Sequence, residues 1–248
     1  MTTRYHLTTA PGLEDIVETE LAETIEARFG QAVKLQTDAD RRAGYLSLTI
    51  DHDNRTSHVT DALRTLRSIY HVVEVRRDQQ LENGLTLSDV LRLAEGTDFP
   101  ELSTRPTFAA RCRRVGTHQF QSVDVEREVG AVLVDRYDAP VDLTAPEVTV
   151  RVIVRDHRVI VGILHTPDPL DRRYPWVFRP RVTLRTIVAY GLLRLAHVNP
   201  DGGAIVDPFC GSGTIPVEAA TCFSNLQVFA SDIDPVAVAT SRANVGAC

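Results

Sequence analysis

The 248-residue sequence predicts two architectures in one chain: an α+β N-terminal part, then the opening of a doubly wound α/β unit. Three observations carry this. Short apolar runs alternate with helical periodicities up to Leu164. Thr166-Pro-Asp-Pro169 then has the composition of a linker. Residues 204–232 read strand, glycine turn, helix, strand and acid, the nucleoside-binding half of a doubly wound fold.

In the first part, Tyr5 to Thr8 reads as a strand and Pro11-Gly12 as a turn. Leu13, Ile16, Val17, Leu21 and Ile25 repeat at helical spacing with acids between them. Tyr45 to Ile50 reads as the next strand. Val59, Leu63, Leu66 and Ile69 mark a second helix, and Val72, Val73 and Val75 a further strand. These elements form a small α+β domain. Leu87, Val90, Leu91 and Ala94 then share a helix face before the break at Phe99-Pro100. Thr107 to Cys112 reads as a strand running into Arg113-Arg114-Val-Gly-Thr-His118. Ser122 is positioned to cap a helix that turns Val125, Val129, Val132 and Leu133 inward. Val148 to Val154 and Arg158 to Leu164 read as strands joined by a tight Asp156-His157 turn. After the linker, Val182 to Leu195 reads as a helix with a broad apolar face.

Composition narrows the classes. A hydrophobic content of 43% and 24% charged residues suit a globular protein. The formal net charge of −6 gives no global signal for a nucleic-acid partner, but the charge is unevenly distributed. Residues 151–200 carry nine Arg against three Asp, and the last 48 carry one Arg against five acids. Between Arg105 and His118 there are four Arg and no acid. Basic stretches in an acidic chain suggest a localised polyanion contact. Lys34 is the only lysine, so the contact would be made by guanidinium groups, which bind phosphates bidentately and stack on bases. Cys112, Cys210, Cys222 and Cys248 show neither metal-ligand spacing nor a disulfide framework. The expectation is a reducing cytoplasm and no metal. No apolar run reaches the length of a membrane span, and no membrane partner is expected.

Ala204, Ile205 and Val206 read as a buried strand that stops at Asp207. Gly211 and Gly213 let the backbone turn tightly and approach a ligand that a Cβ would push away. A helix from Thr214 to Thr221 and a strand from Gln227 to Ser231 follow, ending at Asp232, nineteen residues past Gly213. A carboxylate there can hold two ribose hydroxyls. Pro216 occupies the third position of the dinucleotide fingerprint, and no Gly-Lys-Ser or Gly-Lys-Thr follows, so neither NAD nor a triphosphate suits the turn. Asp207, directly before the turn, would repel a pyrophosphate. It suits an ammonium and a sulfonium, which points to S-adenosylmethionine.

These residues carry a resemblance. Asp207-Pro-Phe-Cys-Gly-Ser-Gly-Thr-Ile-Pro-Val-Glu-Ala-Ala220 closely resembles the first motif of amino-directed class I methyltransferases, and Ser231-Asp-Ile-Asp-Pro235 the second. The nearest match is the RNA-modifying group with an N-terminal THUMP domain. Ala10-Pro-Gly-Leu-Glu-Asp15 is similar to the opening helix of that group's ferredoxin-like domain. Phe108 to Gly130, with Arg114-Val-Gly-Thr-His-Gln-Phe120, resembles the THUMP core, and Leu170-Asp-Arg-Arg-Tyr174 the junction with the catalytic domain. The implied organisation is a ferredoxin-like domain over 1–80, THUMP over 81–166, a basic linker over 167–181, and the N-terminal part of a Rossmann-like methyltransferase domain over 182–248. The implied cofactor site is Asp207, Pro208, Cys210, Gly211, Ser212, Gly213, Thr214, Asp232 and Ile233. Asp207 would face the methionine end of S-adenosylmethionine, Asp232 the ribose and Ile233 the adenine.

The resemblance also implies RNA contacts at Arg111, Arg113, Arg114 and His118. The first three alternate along a strand and loop, an arrangement equally suited to a solvated face. In the linker, Arg172, Arg173, Arg179 and Arg181 interleave with Tyr174, Trp176 and Phe178, a pattern that can stack on unpaired bases and meet phosphates. Arg181 and Arg185 are also placed to meet the cofactor's carboxylate or RNA. The implied activity is methylation of the N2 amine of a guanine, in tRNA foremost and 23S ribosomal RNA second. The sequence departs from the family in one respect. The catalytic Asn/Asp-Pro-Pro-aromatic motif has no counterpart, because no Pro-Pro occurs in the chain. No catalytic residue is therefore carried over, and the methyltransferase domain is expected to be incomplete and inactive alone, completed by downstream residues or a second chain. The alternatives are a catalytically silent THUMP RNA-binding chain and a DNA methyltransferase with the same cofactor motif.

Overall fold

The computed structural model describes residues 2–30, 34–39, 43–51, 56–81 and 84–248. In chain order the elements are β1 (Thr2–Thr8), α1 (Glu14–Phe29), β2 (Lys34–Ala39), β3 (Tyr45–Asp51), α2 (Thr56–Leu63) and β4 (His71–Gln80). Next come α3 (Leu87–Glu95), a 3-10 turn (Pro100–Thr104), β5 (Phe108–Val115), α4 (Ser122–Tyr137), β6 (Val148–Arg155) and β7 (Arg158–Leu164). The last group is α5 (Thr186–Leu195), β8 (Gly203–Asp207), α6 (Thr214–Cys222), β9 (Leu226–Ala230) and α7 (Pro235–Ala247).

Strands β1–β7 form one mixed sheet in the order β2-β3-β1-β4-β7-β6-β5, antiparallel except between β5 and β6. Strand β4 joins its halves, pairing with β1 on one side and β7 on the other. Alternate side chains of a strand point to opposite faces, and both apolar cores use the same face. Tyr5, Leu7, Leu48 and Val72 pack with Val17, Leu21 and Leu63 of α1 and α2. Phe108, Val152 and Val161 pack with Val90, Val125 and Val129 of α3 and α4. The second sheet pairs β8 with β9 in parallel. It reaches the first through α5, whose Gly191 lies against Leu13: a Cβ there would come within 2.7 Å of Leu13 Cδ2. Arg194 and Glu23 close the same contact with bonds of 2.6 and 2.8 Å.

Several sequence expectations need correction. β2 was not foreseen, because Lys34 to Ala39 carries a single large apolar residue, Leu35, and forms an edge. Helix α2 stops at Leu63, so Leu66 and Ile69 reach the core from a turn instead of a helix face. The cap of α4 is Gln121, in a reciprocal capping box with Asp124, and Ser122 is the first helical residue. Helix α5 begins at Thr186 instead of Val182: Arg185 is extended (φ −70°, ψ 141°), and the Thr183 hydroxyl bonds Ser212 and Thr214 of the turn. Ala204, Ile205 and Val206 were expected in a buried strand, but Ala204 is exposed, Ile205 is half-buried and Val206 is 69% exposed. Only one face of the β8–β9 pair is packed, by α5 and α6 through Leu193, Ala219 and Phe223.

Gly162 on β7 lies close against the backbone of β4. A Cβ there would fall 2.1 Å from the Glu74 carbonyl oxygen on β4. Gly162→Ala is expected to destabilise the protein by about 2–3 kcal/mol through forced separation of β4 and β7, measured by urea denaturation.

Candidate cofactor turn and basic surfaces

Strand β8 ends at Asp207, and residues 208–213 turn into α6. Backbone bonds to the end of β9 hold the turn: Cys210 N–H donates to Ser231 O and Ser231 N–H to Asp207 O, both at 2.9 Å. Gly211 (φ +53°) and Gly213 (φ +91°) are left-handed, which disfavours any side chain. Their surroundings differ. A Cβ on Gly213 would lie 2.5 Å from Ser241 Oγ, whereas one on Gly211 would meet nothing within 4 Å. Gly213 is therefore a packing glycine against α7, and Gly211 leaves the backbone open to an incoming ligand.

Asp232 closes the turn from the other side. Its Oδ2 accepts from Gly211 N–H at 2.9 Å and its Oδ1 from Asp234 N–H at 3.0 Å. The Asp234 donor first, and then that of Gly211, hold the carboxyl below the usual carboxylate range. Both oxygens retain lone pairs for further donors. Beside it Ile233 is 97% exposed and Phe209 84% exposed, apolar surface available to a flat ring. Asp207 Oδ1 accepts from Phe209 N–H at 3.1 Å. Pro208 is exposed, while Cys210, Ser212 and Thr214 are buried within the turn. Burial raises the Cys210 thiol pKa, so this residue is packing and not a nucleophile. The open side of the turn suits a nucleoside whose ribose hydroxyls donate to Asp232.

Two buried polar residues that sequence reading passed over fix the turn to the rest of the chain. Asn244 on α7 is fully buried and makes four bonds. Its Oδ1 accepts from Val177 and Phe178 N–H (3.0 and 3.2 Å), and its Nδ2 donates to Phe178 O and Ser212 O (2.9 and 2.8 Å). One amide thus joins the linker to the glycine turn. The available signal was Ser241 and Asn244 three residues apart on one helix face.

Glu218 on α6 is also fully buried. Its Oε1 accepts from Arg67 Nε at 2.8 Å and its Oε2 from Tyr174 OH at 2.8 Å, with Arg173 Nε 3.7 Å away. Burial works against the Arg67 guanidinium charge, but the Glu218 bond overrides it and raises the pKa. For Arg173 burial prevails, and the pKa is lowered. Burial also pushes the neighbouring Cys222 thiol up to about 12.

The basic residues do not form one surface. Arg111 Nη2 donates to Leu143 O at the sheet edge (2.5 Å), while Arg114 bonds Gly116 O and Gln121 Oε1 (3.2 and 3.1 Å). His118 Nε2 contacts Asp156 O at 2.8 Å. Arg113 is exposed on the helix-free face of the sheet. In the linker, Arg172 and Arg181 are exposed, and Arg179 lies over the Trp176 ring at 5.7 Å. Arg173, expected at RNA, is instead committed to the junction: its Nη2 donates to Arg67 O at 2.6 Å beside Glu218. Arg185, expected at cofactor or RNA, is paired with buried Asp171 at 3.0 Å. Among the described residues no cluster could hold a metal ion, and no helix is long and apolar enough to cross a membrane.

Comparison with known proteins agrees with this geometry. A family model for the THUMP domain matches residues 86–164, and one for an RMKL-like methyltransferase domain matches residues 176–248. The tRNA (guanine(6)-N2)-methyltransferase of Thermus thermophilus is 35% identical over 236 residues, covering 95% of this chain and 66% of the relative. The protein of the same name from Archaeoglobus fulgidus is 31% identical, covering 90% of this chain and 54% of the relative. The crystal structure of TrmN from Thermus thermophilus superposes with a TM-score of 0.73 at 35% identity, covering 97% of this chain and 68% of that one. The chain thus spans about half to two thirds of the length of these relatives.

Two substitutions test the junction. Glu218→Gln leaves Arg67 and Arg173 without their carboxylate and is expected to cost about 3 kcal/mol of stability in thermal denaturation. Asn244→Leu removes four bonds at similar volume, with an expected loss on the order of 3 kcal/mol. The emission of Trp176, the only tryptophan, should shift to the red in this variant as the linker frees from α7.

Proposed function

The chain belongs to the THUMP-domain-containing class I RNA methyltransferases, and on that premise we propose that it serves S-adenosylmethionine-dependent methylation of the N2 amine of a guanine in tRNA. The observation that carries the cofactor half of this reading is Asp232, a carboxylate oriented by two backbone N–H groups beside an unobstructed glycine. Asp232 holds the ribose, Gly211 admits the ligand to the backbone, Ile233 and Phe209 cover the adenine, and Asp207 meets the methionine end. The bound cofactor supplies a methyl group on a sulfonium, a good leaving group, so the protein's task is alignment of the accepting amine. In this reading the aligning groups come from outside these 248 residues, in the same polypeptide or from a second one, since the Pro-Pro-aromatic motif is absent from them. The THUMP part grips the tRNA and presents the base flipped from its stack.

Asp232→Ala is expected to abolish S-adenosylmethionine binding in calorimetry while leaving tRNA affinity within a few-fold. Loss of both, or of neither, would sink this assignment of the turn. The lowered Asp232 pKa also gives cofactor binding a sign with pH. Affinity should stay level from alkaline through neutral pH and fall only as pH drops through and below the usual carboxylate range. A loss near pH 6.5 would point to a histidine instead.

A further inference from the structure

Helices α1–α4 cover one face of the seven-stranded sheet. Strand alternation and register assign the other face to His6 on β1, Val73 on β4, Arg113 on β5, Arg151, Ile153 and Arg155 on β6, and Arg158 and Ile160 on β7. Val73, Ile153, Ile160 and Leu164 form a small apolar floor there. Long arginine stems suit such a floor, burying their methylenes and keeping the charged heads at the surface. The guanidinium of Arg155 lies over the Tyr45 ring at 4.7 Å.

The charges on this face are unbalanced. Arg158 is held bidentately by Asp78 at 2.8 and 2.7 Å. Among the described residues Arg113, Arg151 and Arg155 form no ion pair. The remaining acids of this side lie elsewhere: Asp38 and Asp51 on β2 and β3 at the far edge, and Asp171 bonded to Arg185. Beneath the arginines His6 is 2% exposed, stacked on Tyr45 at 4.7 Å, with neither ring nitrogen hydrogen-bonded. Arg155 Nε is likewise buried without a partner. Orphaned buried polar atoms are uncommon, and three on one face indicate unmet bonding capacity. Burial, then Arg158 and Arg155, push the His6 pKa down to about 3, so the ring is neutral and offers the arginines no counter-charge.

Spacing tells which anion fits. Arg151 and Arg155 are four residues apart on one strand, about 13 Å, and Arg113 stands level with Ile153 between them on the neighbouring strand. The three groups do not converge on one point, as a single small anion would require. They spread along a surface, as a chain of phosphates requires. Arg113 and Arg151 also lie close enough to act on His71 at the start of β4, where the Arg185–Asp171 pair bounds the face.

We propose that the helix-free face of the large sheet seats the sugar-phosphate backbone of RNA, with Arg113, Arg151 and Arg155 as its phosphate contacts. This rests on the RNA-methyltransferase reading above and gives it a surface, adding Arg151 and Arg155 to the candidates.

The test uses the full chain and an unmodified tRNA transcript, with anisotropy titrations over a range of salt. In R113Q/R151Q/R155Q the stems remain but the charges go. Its affinity should fall at least about tenfold at roughly 0.1 M salt, and the slope of log K against log salt should become shallower by about 2 to 3. R113K/R151K/R155K should recover most of both. Affinity within twofold and an unchanged slope in the glutamine variant, with a native circular dichroism spectrum, would overturn the surface and leave the RNA reading intact. Failure of the wild-type chain to bind RNA at any salt would overturn that reading itself. If the glutamine variant does not fold, amide exchange in the wild-type chain decides: protection of residues 151–155 on adding tRNA supports the surface, and its absence rejects it.

Discussion

A carboxylate shut away from water must be matched by cations and donors, and Glu218 meets that demand with groups from two distant parts of the chain. Arg67 comes from the turn between α2 and β4, and Tyr174 and Arg173 from the linker. Glu218 itself lies on the helix that begins where the glycine turn ends. Removing the carboxylate would leave two partly buried guanidinium groups without their counter-charge, a far larger penalty than losing a surface pair. Glu218 therefore ties together the upstream sheet, the linker and the helix that follows the cofactor turn.

The other contacts between the halves work within that frame. Leu13 against Gly191 sets how closely α1 and α5 approach, and Arg194 with Glu23 closes their rim. Asn244 repeats the logic of Glu218 with neutral groups, tying the linker backbone to Ser212 in the turn. A nucleic acid lying along the large sheet would thus meet a body bonded to the turn through the linker. This follows from two buried polar residues whose bonding groups cannot be satisfied by water.

Much of the fold was legible because its signals are local. The strand before Asp207, the left-handed glycines and the acid after the second strand each have a reason in backbone geometry that no distant residue alters. The same holds for Val125, Val129 and Leu133, which turn inward at helical spacing. What was misread depends on neighbours far away in sequence. Helix α2 ends at Leu63 although the apolar spacing runs on, and Leu66 and Ile69 are still buried in the core formed with α1. The partners of the arginines are equally invisible in the sequence: Arg111 donates to Leu143 O, and Arg173 lies beside Glu218 at the junction.

By itself the sequence determined the order of elements, the nature of the cofactor turn and its relation to a THUMP-bearing methyltransferase family. These rest on periodicity and on short motifs whose chemistry is complete within some thirty residues. Only the tertiary structure decided that β4 merges two units into one sheet, that Glu218 and Asn244 lock the turn to the linker, and which arginines remain free. Strand register and ion pairing join residues far apart in sequence, 151 positions for Arg67 and Glu218 and 171 for Arg194 and Glu23. A charge in a sequence shows that a counter-charge is wanted; only the folded chain shows whether one is already there.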